Sequence, residues 1–335
     1  MSLQGKAVVF TDRQRVEVHE VRLPAPSADD VVIDVEISWI SNGTESSFLR
    51  GERTAGDTPY AEGHPWPFPI VAGYQKVGTV LQVGSAVSAF KPGDRVFATI
   101  SKVEGMYEPY GGHVSPAVTA ADQVWKLPQD ADPLDYSGLV LAQVGYNCGE
   151  RPPIREGSRA LVIGDGLVGH WAAQTLHHRG SRVTVLGRHE DRMRLLPETI
   201  GHLRSGQQDT GTELRRLAEA QGLDILVDTV GDMDAVTANL PLLAHDSHFV
   251  SAGFYGNRGL VDIQALRDKE ITLHAPAGWN KRRMDAALEG IRQGWLQTGK
   301  LVTHRFPVDR AAEAWELIVG RHEPYLGVVL EWRQP

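Results

Sequence analysis

The stretch Leu161-Val-Ile-Gly-Asp-Gly-Leu-Val-Gly169 restricts the fold of this chain more than any other. An apolar run leads into Gly164, Gly166 and Gly169 at G-x-G-x-x-G spacing, and a helix-like segment, Trp171 to Arg179, follows. A strand that turns sharply into a helix needs glycine where the turn is tight and where helix and strand pack closely. Glycine also lets the backbone touch a pyrophosphate, which the free N–H groups and positive dipole end of the helix then hold. A second strand-like segment, Arg182-Val-Thr-Val-Leu186, comes about one βα unit later, the context in which this spacing is informative. Gly164, Gly166, Leu167, Val168 and Gly169 are therefore expected to line a dinucleotide.

The rest of the chain falls into two styles. Up to about residue 125 it is β-rich, with strands expected at Lys6–Phe10, Val16–His19, Val31–Ile37, Val77–Val83 and Lys91–Phe97, punctuated by proline and glycine. A helical stretch, Leu134 to Glu150, leads onward. From Arg159 the pattern alternates. Strands are predicted at Ala160–Ile163, Val183–Leu186, Ile225–Val227, His248–Ser251 and Thr272–His274. Helices are predicted at Val168–Arg179, Glu190–Leu196, Gly211–Ala220 and Asp234–Leu243. Such alternation gives a doubly wound parallel sheet. Two more helices, Met284–Gly294 and Arg310–Val319, precede a last strand, Leu326–Trp332.

At 335 residues two domains are expected. A net charge of −8 with scattered cations argues against a nucleic-acid partner or an anionic membrane surface. No apolar stretch has the length of a membrane span, and the N-terminus shows no signal-peptide pattern, so a cytoplasmic setting is expected. The one cysteine, Cys148, excludes an internal disulfide and any multi-cysteine zinc site, and is expected to be a packed apolar residue.

Several ordered segments carry a family resemblance. They are Ile40-Ser-Asn-Gly-Thr-Glu45, Pro69-Ile-Val-Ala-Gly-Tyr-Gln-Lys-Val-Gly-Thr-Val80, Lys91-Pro-Gly-Asp-Arg-Val96, the glycine fingerprint and Asp224-Ile-Leu-Val-Asp-Thr-Val-Gly231. With the tail segments Leu301–Pro307 and Ala311–Trp315, the chain resembles the medium-chain dehydrogenase/reductase superfamily over nearly its whole length. The resemblance implies an α/β protein: a Rossmann doubly wound parallel sheet plus a GroES-like β-barrel domain. Residues 1–140 with 278–335 would form the GroES-like catalytic domain and 141–277 the Rossmann domain, with the active site in the cleft between them and a homodimer joined at the Rossmann sheet edges. A narrower resemblance, in Ser41-x-Gly-Thr-Glu45 and Pro69-x-x-x-Gly73-Tyr74, is to bacteriochlorophyllide dehydrogenases, which oxidise a hydroxyethyl group on a tetrapyrrole.

The departures from the family matter as much. Zinc-dependent members place Cys, His and a further Cys or Glu where this chain has Ser41-Asn42, Tyr74 and the apolar run before Gln143. Zinc prefers thiolate and imidazole, so no catalytic zinc is expected; His64, His113 and Glu45 could in principle assemble another metal site. Hydrogen-bond donors must then supply the electrophilic role. Thr44 matches the family's proton-relay position, and Tyr74 would point its phenol into the vacated metal space; a turn threonine and a packing tyrosine are the bland alternatives. Glu45 and Gln75 flank the same place, Glu45 as a base or as an internal ion-pair partner. Gln143 could bond substrate or nicotinamide, and Gly253-Phe254 falls where the family's backbone faces the nicotinamide ring.

The second strand ends Leu186-Gly187-Arg188, with no carboxylate at its tip to take the ribose 2′-hydroxyl of NAD. Gly187 leaves room for a phosphate, Arg188 offers a planar fork of donors, and Arg192 lies one helical turn further on. NADP(H) is expected over NAD(H), unless Glu190 or Asp191 reaches the ribose. The proline-rich segment Thr58–Pro69, with Tyr60, Trp66 and Phe68, would suit a bulky or planar small molecule, or pack on its own domain. The expected function is zinc-independent hydride transfer between NADP(H) and an alcohol/ketone pair or an activated alkene. The alternatives are an NAD-using tetrapyrrole alcohol dehydrogenase and a dinucleotide-binding sensor without turnover.

Overall fold

A computed structural model describes residues 3–56, 58–219, 221–256 and 258–333. The chain divides into two compact units: the described residues up to Val140 with those from Thr298 onward, and Leu141–Gln297. The second junction thus lies twenty residues later than position 277/278, where the sequence reading put it.

In the first unit, strand β1 (Leu3–Asp12) pairs antiparallel with Arg15–Leu23 and with the short strands Ile70–Val71 and Val114–Ser115. Strand β2 (Asp30–Trp39) pairs antiparallel with β3 (Lys76–Val83), with Ala117–Ala120 and with Gly327–Glu331. The alternation of β1 explains its double burial. Ala7 and Val9 enter the core shared with Val31, Ile33 and Val35 of β2, while Val8 and Phe10 enter a second core under the helix Ala311–Gly320. There the edge of Phe10 meets the Trp315 ring at 5.3 Å. Helix α1 (Thr44–Leu49) follows β2 directly. The expected helix from Leu134 is two, Pro133–Ser137 and Leu139–Glu150, broken at Gly138 where a Cβ would press to 3.0 Å from the Trp39 ring.

The second unit holds six parallel strands: β4 (Arg159–Ile163), β5 (Arg182–Gly187), β6 (Gly201–Arg204), β7 (Leu223–Asp228), β8 (Leu243–Ser251) and β9 (Thr272–His274). Their order, β6-β5-β4-β7-β8-β9, is that of a dinucleotide-binding sheet, reversing beside β4. Helix α2 (Leu167–His178) links β4 to β5. Strand β6 has no counterpart in the sequence reading. It is a short edge strand, and of its four residues only Leu203 is even half-buried, so no apolar pattern announces it. The predicted helix Gly211–Ala220 is Thr210–Ala218, and Ala220 lies outside the described residues.

Helix α3 (Lys281–Arg292) belongs to this unit because its partners do. Arg283 donates to Gln143 Oε1 at 2.8 Å, and the segment after α3 is tied by Trp171 Nε1 to the Gln297 carbonyl at 2.9 Å. Cys148 is fully buried in the core, where burial pushes its thiol up to about 12. Among the described residues no helix is long and apolar enough to cross a membrane.

Candidate functional site

The end of β4 is shaped by three different glycine requirements. Gly164 sits at φ +118, and a Cβ there would lie 2.4 Å from Thr229 Oγ1. A Cβ at Gly169 would come within 2.1 Å of the Gly164 carbonyl, so α2 can approach β4 only without a side chain. Gly166 differs. It caps the N-terminus of the twelve-residue α2 with an ordinary extended backbone, and nothing lies within 4 Å of where its Cβ would be. An open backbone at a helix N-terminus is what a pyrophosphate requires, so these residues fit a dinucleotide. Leu167 is buried and Val168 half-buried in the first turn of α2.

The tip of β5 differs from expectation. The space beside Gly187 is taken: a Cβ there would lie 2.7 Å from both Asp165 Cβ and Met193 Sδ. The Asp165 carboxylate accepts the backbone N–H groups of Arg188 and His189, each at 2.6 Å to Oδ2. His189 Nδ1 is 2.9 Å from Oδ2, and Arg192 Nη1 is 3.4 Å from Oδ1. Burial alone would raise the Asp165 carboxyl, but the His189 amide and ring and the Arg188 amide outweigh it and hold the group below its usual range. The Arg188 guanidinium is 71% exposed and lies 3.5 Å from Asp232.

Gln143 is fully buried. Its Oε1 holds Arg283, and Arg283 Nη2 in turn donates to the Ala277 and Gly278 carbonyls at 3.2 Å each. Gln143 thus shapes the loop after β9. Gly253 packs on the turn after β7, where its Cβ would fall 1.9 Å from the Gly231 nitrogen, and Phe254 stands beside it. That turn is fixed by the buried Asp228, which accepts the Val230 and Gly231 N–H groups and the Tyr255 hydroxyl.

In the first unit α1 and the bend between Gly73 and β3 bring Thr44, Glu45, Tyr74 and Gln75 into one neighbourhood. Tyr74 is half-buried, and its hydroxyl is hydrogen-bonded with Ser41 and Thr44. Burial, helped by the Glu45 charge, raises the phenol above its usual range, so it stays a neutral donor. Glu45 is turned inward at 2% exposure. Its Oε1 accepts the Ser41 N–H at 2.7 Å and its Oε2 meets His113 Nε2 at 3.0 Å. His113 Nδ1 lies 2.7 Å from Ser38 Oγ, which accepts Trp332 Nε1–H at 2.8 Å. The carboxylate can only accept and the indole can only donate. In the neutral imidazole Nε2 therefore carries the proton, and the Ser38 hydroxyl donates to Nδ1. Gln75 is fully buried, its Nε2 directed at the Trp39 carbonyl at 3.4 Å.

These residues do not fit a zinc ion. Asn42 donates its amide to the Leu326 carbonyl at 2.5 Å, the Tyr74 phenol keeps its proton, and His113 with Glu45 satisfy each other. His64 is exposed in the proline-rich segment, whereas that pair is buried. Among the described residues no group of three or more His, Cys, Asp or Glu side chains converges as a metal site. The proline-rich segment packs on its own unit: Tyr60 stacks on Trp66 at 4.0 Å and Arg13 covers the Trp66 ring at 4.5 Å. Sequence reasoning missed Ser38 and Asp165. Asp165 was legible as an acidic residue inside the glycine motif; nothing near Ser38 in sequence pointed to its partners.

Residues 27–129 match the alcohol dehydrogenase GroES-like domain and residues 168–292 the zinc-binding dehydrogenase domain. The chain belongs to the medium-chain dehydrogenase/reductase superfamily. It is 25% identical over 344 residues to the 2-desacetyl-2-hydroxyethyl bacteriochlorophyllide A dehydrogenase of Cereibacter sphaeroides, covering 99% of both chains. It shares its fold with a short-chain alcohol dehydrogenase of Escherichia coli complexed with NADH, at a TM-score of 0.83 and 20% identity over 98% and 99% of the two chains. A Sinorhizobium meliloti protein bound to NADP is similar at a TM-score of 0.81 and 19% identity, over 98% and 100%. The superfamily's two domains are both present: the GroES-like sheets of the first unit and the Rossmann-like parallel sheet of the second. The chain is thus an oxidoreductase of the dehydrogenase type.

Proposed function

We propose that this chain transfers a hydride between a nicotinamide dinucleotide and an alcohol/ketone pair or an activated alkene, without zinc. The observation that carries the reading is the replacement of metal ligands by a protonated phenol. Tyr74, bonded to Ser41 and Thr44, is a neutral donor for a substrate oxygen, the electrophilic part that a metal would otherwise play. Thr44 lies beside it as the hydroxyl that passes a proton onward. Glu45, His113 and Ser38 hold α1 in place beneath these two donors and do not themselves touch substrate. The dinucleotide supplies the hydride carrier when bound. Gly164, Gly166 and Gly169 give its pyrophosphate a bare backbone, and Gln143 with Arg283 sets the loop after β9.

NADP(H) was the expectation at the tip of β5; the room it relied on at Gly187 is filled by Asp165 and Met193. The full-length similarity to a hydroxyethyl bacteriochlorophyllide dehydrogenase favours a tetrapyrrole alcohol as one member of the substrate class. Edge strand β9, with Leu273 40% exposed, is where the proposed homodimer would pair.

The test is turnover of NADH and NADPH with a panel of ketones, quinones, enones and hydroxyethyl tetrapyrroles, before and after exhaustive chelation. Activity that survives chelation and falls in Tyr74→Phe supports the reading. Activity lost on chelation and restored by zinc alone overturns its metal-free part. Dinucleotide binding with no turnover across the panel points to a sensor.

A further inference from the structure

The carboxylate that the tip of β5 lacks in sequence is present there in space. It comes from inside the glycine motif. Asp165 follows Gly164 and crosses to β5, where it is held at 6% exposure by two backbone amides, the His189 ring and Arg192. The seat is built for it. Gly187 has no side chain because Asp165 Cβ and Met193 Sδ would meet one. The two oxygens are not equally occupied. Oδ2 takes both amide N–H groups and the closer His189 contact, while among the described residues Oδ1 takes only the longer ones, 3.1 Å to His189 Nδ1 and 3.4 Å to Arg192 Nη1. A carboxylate oxygen in that state still has lone-pair capacity for a hydroxyl donor.

We propose that Asp165 selects the dinucleotide: it takes the ribose 2′-hydroxyl of NAD(H) and turns away the 2′-phosphate of NADP(H). This rests on the reading of the glycine turn as a nicotinamide dinucleotide site. A phosphate at the end of β5 would draw on the amides of residues 188 and 189 and on nearby cations. Those amides, the His189 ring and Arg192 already serve Asp165, which leaves a phosphate the exposed Arg188 guanidinium, itself 3.5 Å from the Asp232 carboxylate. A dianion at Oδ1 would also stand against a buried negative charge, an arrangement that is strongly disfavoured. A ribose hydroxyl meets the opposite situation, since it brings the donor that Oδ1 can accept.

Binding to the protein without substrate tests this, by titration with NADH and NADPH and, in parallel, with AMP and its 2′-phosphorylated counterpart. Wild type is expected to bind NADH and AMP at least about tenfold more tightly than the 2′-phosphorylated partners. Asp165→Asn keeps the shape and one acceptor but removes the charge. It is expected to retain most NADH affinity and improve NADPH about tenfold. Asp165→Ser is expected to lose about tenfold in NADH affinity and to reverse the preference. Should the serine variant not fold, the wild-type ratio and the asparagine variant decide. Wild type binding NADPH as tightly as NADH overturns the proposal. So do folded variants that weaken both dinucleotides equally, because Asp165 would then only brace the end of β5. Folded wild type that binds neither dinucleotide refutes the functional reading itself, and this proposal with it.

Discussion

Around Gly166 the surface offered to a ligand is backbone, extended and open, with the N-terminus of a twelve-residue helix behind it. Around Tyr74 it is side chain, a phenol and a hydroxyl resting on a closed cluster of Glu45, His113, Ser38 and Trp332. The first region recognises a ligand part common to many dinucleotides and needs only correct spacing along the chain. The second needs residues from four distant segments, each satisfying the next, and its geometry survives only if every member is present. Binding and chemistry are thus supported by opposite kinds of rigidity: local and steric in one, long-range and polar in the other.

The sharpest way to break the contrast is Glu45→Ala. It would leave the Ser41 N–H and His113 Nε2 buried without their acceptor, and about 2–5 kcal/mol of stability should be lost, read as a lower urea midpoint with an unchanged slope. A loss below about 1 kcal/mol would mean that the cluster is not the brace described.

The same unit carries Lys76, fully buried with its ammonium nitrogen 2.5 Å from the Thr99 carbonyl; burial pushes it down to about 7. The unfolded chain, with an ordinary lysine near 10.4, binds more protons than the folded one between those two values. Stability should therefore rise with pH across that window, and this contribution is absent below about pH 7, where both states are protonated. Wild type is expected to gain roughly 3 kcal/mol between about pH 7 and 9.5 relative to Lys76→Met, from denaturation midpoints of the two proteins at both pH values. Parallel midpoints would show that Lys76 stays charged.

In the glycine region the expectation inverts. Gly166→Val adds a side chain to open space, so the melting temperature should hold within about 2 °C while dinucleotide affinity falls about a hundredfold. Gly169→Ala, by contrast, should fail on stability first, because its Cβ meets the Gly164 carbonyl. Smallest of the set, Tyr74→Phe removes one hydroxyl. It should lower kcat about tenfold or more with KM for the dinucleotide unchanged, in steady-state kinetics on any substrate found.

What could be read from the sequence follows the same division. Gly164, Gly166 and Gly169 declare themselves because turn geometry depends on near neighbours, and the strand–helix alternation after Arg159 gave the sheet its class. Gly187 was legible as a glycine but not as a seat, since the group that fills its space stands twenty-two residues earlier, on the other side of a helix. Gln143 was read as a residue for substrate or nicotinamide, and its partner Arg283, 140 residues away, was not legible because nothing near Gln143 in sequence points to it. Strand β6 escaped because an exposed edge needs no apolar alternation. Glu45 was foreseen as either a base or an internal partner; its exposure of 2% and its bonds to Ser41 and His113 favour the internal role.

The seating of Asp165 also constrains the order in which this chain can change. Any residue larger than glycine at position 187 collides with the Cβ of residue 165 and with the Met193 sulfur, so a substitution there is harmful while position 165 carries a side chain and tolerable only after that Cβ has gone and Met193 has moved aside. The two positions are epistatic, with a preferred sequence of steps. A lineage or an engineer altering the coenzyme must pass through position 165 first, and a screen that varies the strand tip alone would miss the route.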